Sequence, residues 1–112
     1  MRAIQLISET GELNEVQVSN YKDYYKLLNA ELFDVVAVRW DGVDISIYVD
    51  DEGMMKSWNI GRSVRGCPAP LFGNMVFCGG VDSEGNTLDL PKKITIEDVR
   101  KNVTSPLYVA KG

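Results

Sequence analysis

Histidine is absent from this chain of 112 residues. Its absence removes the commonest general base, the commonest metal ligand and every Ser-His or Cys-His nucleophile pair. Cysteine is nearly as scarce. Cys67 precedes a proline and Cys78 sits in an apolar run, so two free, partly buried thiols are expected rather than a disulfide. No apolar run approaches the roughly 20 residues of a membrane span. The opening MRAIQLISETGE also lacks the apolar segment and small-residue cleavage site of a signal peptide. A cytoplasmic protein without a membrane partner is expected. Basic residues are too few for general nucleic-acid binding: 12 Lys and Arg against 16 Asp and Glu leave a net charge of -4, so no direct contact with nucleic acid is expected. No cofactor fingerprint is present, and no cofactor is expected.

What is present has the balance of one ordinary globular domain, with 45% hydrophobic and 25% charged residues. At this length folding hides roughly two-thirds of the unfolded surface, enough for one real core. The charge is unevenly spread. From Glu31 to Gly53 seven acids (Glu31, Asp34, Asp41, Asp44, Asp50, Asp51, Glu52) stand against one base, Arg39. From Met54 to Pro70 come Lys56, Arg62 and Arg65 with no acid.

Arg2 to Ser8 and Glu15 to Val18 suit two strands of a hairpin around Thr10-Gly11-Glu12. Asn20 is a good N-cap with Asp23 three residues on, and a helix follows to about Ala30 with Tyr24, Leu27 and Leu28 on its buried face. Phe33 to Trp40, β-branched and weakly alternating, predicts a central strand covered on both faces. Asp41-Gly42 is the strongest hairpin signal in the chain, and Asp44 to Asp50 returns with the clean alternation of a strand that has one solvated face. Asp51-Glu52-Gly53 predicts a further turn with Gly53 at positive φ, and Met54 to Trp58 another strand. Asn59 to Pro70 reads as a loop, Leu71 to Gly80 as a buried strand with Gly73 as a bulge, and Thr87 to Leu90 as a short strand. Thr95, with Asp98 three residues on, caps a helix from Ile96 to about Asn102 that packs through Ile96, Val99 and Val103. Residues 104–112 form either a loose tail or an edge strand. The expectation is a single α+β domain, residues 1–112, mainly antiparallel sheet with two short helices.

Several groups of residues admit a chemical role. The acids from Asp41 to Glu52 offer oxygen ligands to a hard cation, but they lack the alternation of a calcium loop and are ordinary turn formers. Displayed on a sheet, the same acids would imitate phosphate charge and meet a basic surface on a partner. Arg65, two residues before Cys67, would favour a thiolate, but a reactive cysteine without a neighbouring base is the weaker reading. In SWNIGRSVRG, Trp58, Asn59, Arg62 and Arg65 together with Asp51 and Glu52 form the candidate binding set. Trp58 would stack on a nucleotide signal whose phosphates Arg62 and Arg65 would hold. The other reading of Arg62 is structural, pairing with the acids of the preceding hairpin and pinning the loop to the sheet.

The array YVDDEG, then NIGR, then FGNMVFCGGVDSEGNTLDL resembles the domain-of-unknown-function family numbered thirty-eight forty-six. Its members are small proteins of phages, prophages, plasmids and conjugative elements, and the resemblance runs from Arg2 to about Val103. It implies a mobile-element origin and no assigned activity. The resulting expectation is a non-enzymatic interaction protein that binds a host or defence protein in the bacterial cytoplasm, with a nucleotide-binding protein as the alternative. A homodimer is compatible with either.

Overall fold

The computed structural model describes residues 1–56, 59–104 and 108–110. Chain order begins with β1 (Arg2–Ile7), β2 (Glu12–Gln17), α1 (Lys22–Leu28), β3 (Phe33–Trp40) and β4 (Val43–Asp50). A single 3₁₀ turn over Gly53–Met55 leads to β5 (Asn59–Arg62), β6 (Leu71–Phe72) and β7 (Met75–Gly79). α2 (Ile96–Asn102) and β8 (Tyr108–Ala110) complete the order. The fold is α+β, as expected. A five-stranded antiparallel sheet runs β2-β1-β7-β4-β3, and a small sheet runs β6-β5-β8.

Strand alternation sends neighbouring residues of the large sheet into two cores. Ala3, Val76, Cys78 and Tyr48 face α1 and pack on Tyr24 and Leu28. Ile4, Leu6, Ile45, Ile47, Met75 and Phe77 face the other way and meet Val64, Leu90, Ile94 and Val99 of α2. Tyr24 lies flat on Tyr48, with ring centroids 3.7 Å apart. Its hydroxyl meets the Cys78 thiol at 3.6 Å. Burial, then the neighbouring thiol, holds the phenol far above its ordinary pKa.

Local chemistry explains the element ends. The β3–β4 hairpin closes through Asp41 and Gly42, both at positive φ (50° and 84°), the signature of a tight primed turn. Thr95 and Asp98 form a full capping box on α2. At α1 the Asn20 side chain accepts from Lys22 N at 2.9 Å, and the Asp23 carboxylate accepts from Ser19 N and Asn20 N, at 2.7 and 3.2 Å.

Several expectations need correction, among them the single strand expected over Leu71 to Gly80, which is two: β6 in the small sheet and β7 in the large one, broken at Gly73. β3 is an edge strand, not a central one, with Asp34, Val35, Ala37 and Arg39 exposed; β4 takes the central place and is buried on both faces from Ile45 to Asp50. Gly53 is not at positive φ; glycine is required there because a Cβ would collide with the carbonyl of Phe72. The stretch after it begins as a 3₁₀ turn, with Ser57 and Trp58 outside the described residues, and regular strand resumes at Asn59 where a loop was expected. Thr87 makes one isolated bridge to Val81 in place of a strand to Leu90. The tail, by contrast, does supply an edge strand, β8, which pairs antiparallel with β5.

Candidate functional site

The sequence-predicted residues do not converge on one place. Trp58 lies outside the described residues, and Asn59 is described only through its backbone, where it opens β5 opposite Ala110. Arg62 is 6% exposed. Its Nε and Nη2 donate to the Ser8 carbonyl at 3.2 and 2.6 Å, its Nε also lies 3.3 Å from Ser8 Oγ, and its Nη1 donates to the Thr104 carbonyl at 3.1 Å. The guanidinium is tucked beneath the β1–β2 turn, where a Cβ on Gly11 would stand 3.4 Å from it. Burial lowers its pKa. Among the described residues it meets no carboxylate, so Arg62 is structural, but it ties the N-terminal turn to the segment after α2 rather than pairing with hairpin acids.

Arg65, three residues further on, engages the β3–β4 hairpin tip instead. It pairs with Asp41, with Nη2 to Oδ1 at 3.1 Å and Nη1 to Oδ2 at 3.3 Å, and touches Asn102 Oδ1. Its carbonyl accepts the Trp40 indole N–H at 2.9 Å. Asp41 and Asp51 flank the eight residues of β4, so they lie about 26 Å apart at ~3.3 Å per residue. Asp51 and Glu52 therefore belong to a different corner. Cys67 sits beyond Arg65 with its thiol pushed up by burial, which argues against a thiolate there.

That corner, where β3 begins and β4 ends, holds four of the eleven acids that make no salt bridge among the described residues. At the hairpin tip Asp44 faces Arg39 and Asp41 faces Arg65, and in the interior the buried Asp50 carboxylate pairs with Lys56. Glu31, Asp34, Asp51 and Glu52 have no cationic side chain against them among the described residues. Asp50 also accepts from Glu52 N at 2.9 Å, which fixes the turn that presents Asp51 and Glu52. Sequence reasoning reached Asp51 and Glu52 but not Glu31 and Asp34 as their companions. The available signal was the long run with one base, read without knowing which acids that base and the later arginines would neutralise.

Beside these acids runs an open groove of about 510 Å³ floored by Val36, Val49, Pro70, Leu71 and Phe72, with Met55 over it and Asp34 and Asp51 at its rim. Met55, which lines it, is 73% exposed, and two further apolar side chains are exposed close by along the chain, Leu32 at 53% and Val35, on the opposite face of β3, at 42%. Behind the Asp50–Lys56 pair a polar cleft of about 210 Å³ is walled by Ser8, Glu9, Asn29 and Asn74. Its polar groups bond one another: Lys56 donates to the Asn29 carbonyl and Asn74 Oδ1 accepts from Ser8 N. Among the described residues no group of three or more acidic or cysteine side chains is arranged to hold a metal ion.

No curated protein and no solved structure matches this chain. A family model does, over residues 1–104. The chain belongs to the family described as Domain of unknown function (DUF3846).

Proposed function

We propose that this protein is a non-enzymatic binding protein that receives a basic macromolecular partner at the corner formed by Glu31, Asp34, Asp51 and Glu52. One observation carries the reading. The acids at this corner lack cationic partners while those at the hairpin tip have them, and the corner borders an apolar groove. Uncompensated charge steers a partner of opposite sign, and the desolvated apolar floor supplies the affinity that rim charges alone do not. In this proposal the partner is a host macromolecule, a defence component among the candidates, as the resemblance to phage, prophage and plasmid proteins implies. The nucleotide reading draws no support from Arg62 and Arg65, because both guanidiniums are engaged with protein acceptors.

The test is a pull-down from host lysate with the wild-type chain and with a Glu31→Lys, Asp51→Lys variant whose fold is checked by circular dichroism. Both sites are exposed, so the fold should survive. A partner retained by the wild type, released by raised salt and held at least tenfold less by the variant is expected. Equal retention by both, or none above background at micromolar protein, would overturn the proposal.

A further inference from the structure

β3 is an open edge whose free backbone groups are identifiable from its turn. In a hairpin closed by two residues, Trp40 and Val43 exchange both backbone hydrogen bonds, and bonded pairs then alternate along the ladder. Asp34, Val36 and Val38 therefore bond to β4, whereas the N–H and C=O groups of Phe33, Val35, Ala37 and Arg39 point away from it, the Val35 N–H being held by the Asp34 carboxylate at 2.8 Å. The bond from Asp51 N to the Leu32 carbonyl, at 3.2 Å, keeps the same phase. β3 has no strand neighbour on that side among the described residues. At its far end Gly66 packs on Val38, near the Arg39 nitrogen, which leaves Phe33 to Ala37 as the open stretch. This stretch borders both the acidic corner and the groove.

We propose that the partner enters as an extended segment that adds to the β3 edge beside Phe33 to Ala37. An apolar side chain of that segment fills the groove over Val36 and Leu71, and a lysine or arginine lies beside Glu31, Asp34 and Asp51. The inference rests on the binding reading above and gives it a mode and a partner chemistry. An added strand alternates its side chains, so residues on the groove side meet Val36 while those on the opposite side cover Val35 and Ala37. Backbone pairing supplies affinity with little regard to sequence, and the groove and acids supply the preference. A second copy of this chain is the poorer occupant, because it would bring another ribbon with seven acids and one base to an edge that already carries that excess.

The probe is a display library of randomised linear ten-residue peptides selected on the full chain, with the enriched peptides then synthesised. Enriched sequences should place Lys or Arg at one end of an alternating apolar pattern. N-methylation of one alternate set of peptide amides should weaken binding at least tenfold, and methylation of the other set should change it less than threefold. Ala37→Pro, which removes an outward N–H without touching the β3–β4 ladder, should also lose at least tenfold. If that variant does not fold, the N-methyl comparison on the unaltered protein decides alone. Basic peptides indifferent to N-methylation would overturn strand addition and leave the charge reading standing. Peptides without excess Lys or Arg that still respond to alternate N-methylation would overturn the charge reading and the stated partner chemistry. No enriched peptide, or a dimer in sedimentation that Ala37→Pro dissolves, would overturn the proposal.

Discussion

Arg62→Ala tests whether the buried guanidinium is a tie between distant segments or a ligand-binding group. The side chain makes hydrogen bonds to Ser8 O, Ser8 Oγ and Thr104 O, and Ser8 is itself 1% exposed. A hydrogen bond to a charged group contributes about 1.5–3 kcal/mol net. Desolvation of the guanidinium offsets part of this, but truncation leaves the Ser8 carbonyl buried without its donor and removes the packed stem. A loss of about 3–5 kcal/mol follows, comparable with breaking a buried charged network. For a chain of this size that corresponds to roughly 12–20 °C in melting temperature. Urea unfolding followed by circular dichroism reads the free energy, and a thermal scan reads the shift. Arg62→Lys keeps the charge without the planar fork and should recover about half of the loss. Burial lowers the guanidinium pKa, yet such a group titrates far above any working pH, so the loss should be the same at about pH 6 and about pH 8. A loss below about 1 kcal/mol for Arg62→Ala would refute the tie.

Gly53→Ala should cost about 1–3 kcal/mol in urea unfolding, because the new Cβ meets the Phe72 carbonyl and the 3₁₀ turn must shift; an unchanged midpoint would show that the turn yields freely. Thr95→Ala should cost about 1 kcal/mol by removing the α2 cap. Asp98 has its pKa lowered by the Thr95 backbone and hydroxyl. Its stabilising share is therefore complete above the unfolded carboxylate pKa and is lost as pH falls through the lower folded value. A pH titration of stability should thus flatten at its acid end in Thr95→Ala, and an identical acid limb in both proteins would count against the box. Burial pushes the Cys78 thiol up to about 11 and raises Cys67 as well. A disulfide-exchange reagent at about pH 8 should label both cysteines far more slowly in the folded than in the urea-unfolded chain; rapid labelling of the folded protein would contradict that burial.

Features decided within a few residues were legible in the sequence, and features decided by distant neighbours were not. Asp41-Gly42 announced its turn because positive φ at two successive positions needs residues of that kind. Thr95 and Asp98 announced their box because both bonds lie within one turn of chain. The roles of β3 and β4 came out exchanged because alternation records how much of a strand is buried, not which strand lies next to it. β7, about 30 residues later, inserts beside β4 and leaves β3 outside. Asp44 to Asp50 alternates because Ser46 and Tyr48 are polar, yet α1 and the residues around Leu88 cover that face too. For Arg62 both a structural and a ligand-binding role were open in the sequence, and its partners were hidden, since Ser8 and Thr104 are each more than 40 residues away. The groove was not legible, because Val36, Val49 and Leu71 meet only once the small sheet folds against β3 and β4.

The acids near the open edge admit a second physical explanation, which the structure itself weighs. Sheet edges are commonly blunted by charge so that copies of a protein do not pair through them. Asp34 fits that role: its carboxylate accepts from Val35 N at 2.8 Å, occupying one of the outward donors of β3. At the opposite edge Glu15 is neutralised by Arg2, while Glu12 accepts a hydrogen bond from Asn14 and has no cation against it among the described residues. Edge protection accounts for Asp34 alone; Glu31, Asp51 and Glu52 lie outside the β3 ladder and carry the negative field beyond the edge. Nor would protection leave Leu32 and Val35 exposed at the edge and Met55 exposed over the groove, since each raises the hazard that the charge is meant to lower. Charge that repels a second acidic copy attracts a basic segment, so one arrangement keeps the edge vacant against its own kind and open to a partner of opposite sign.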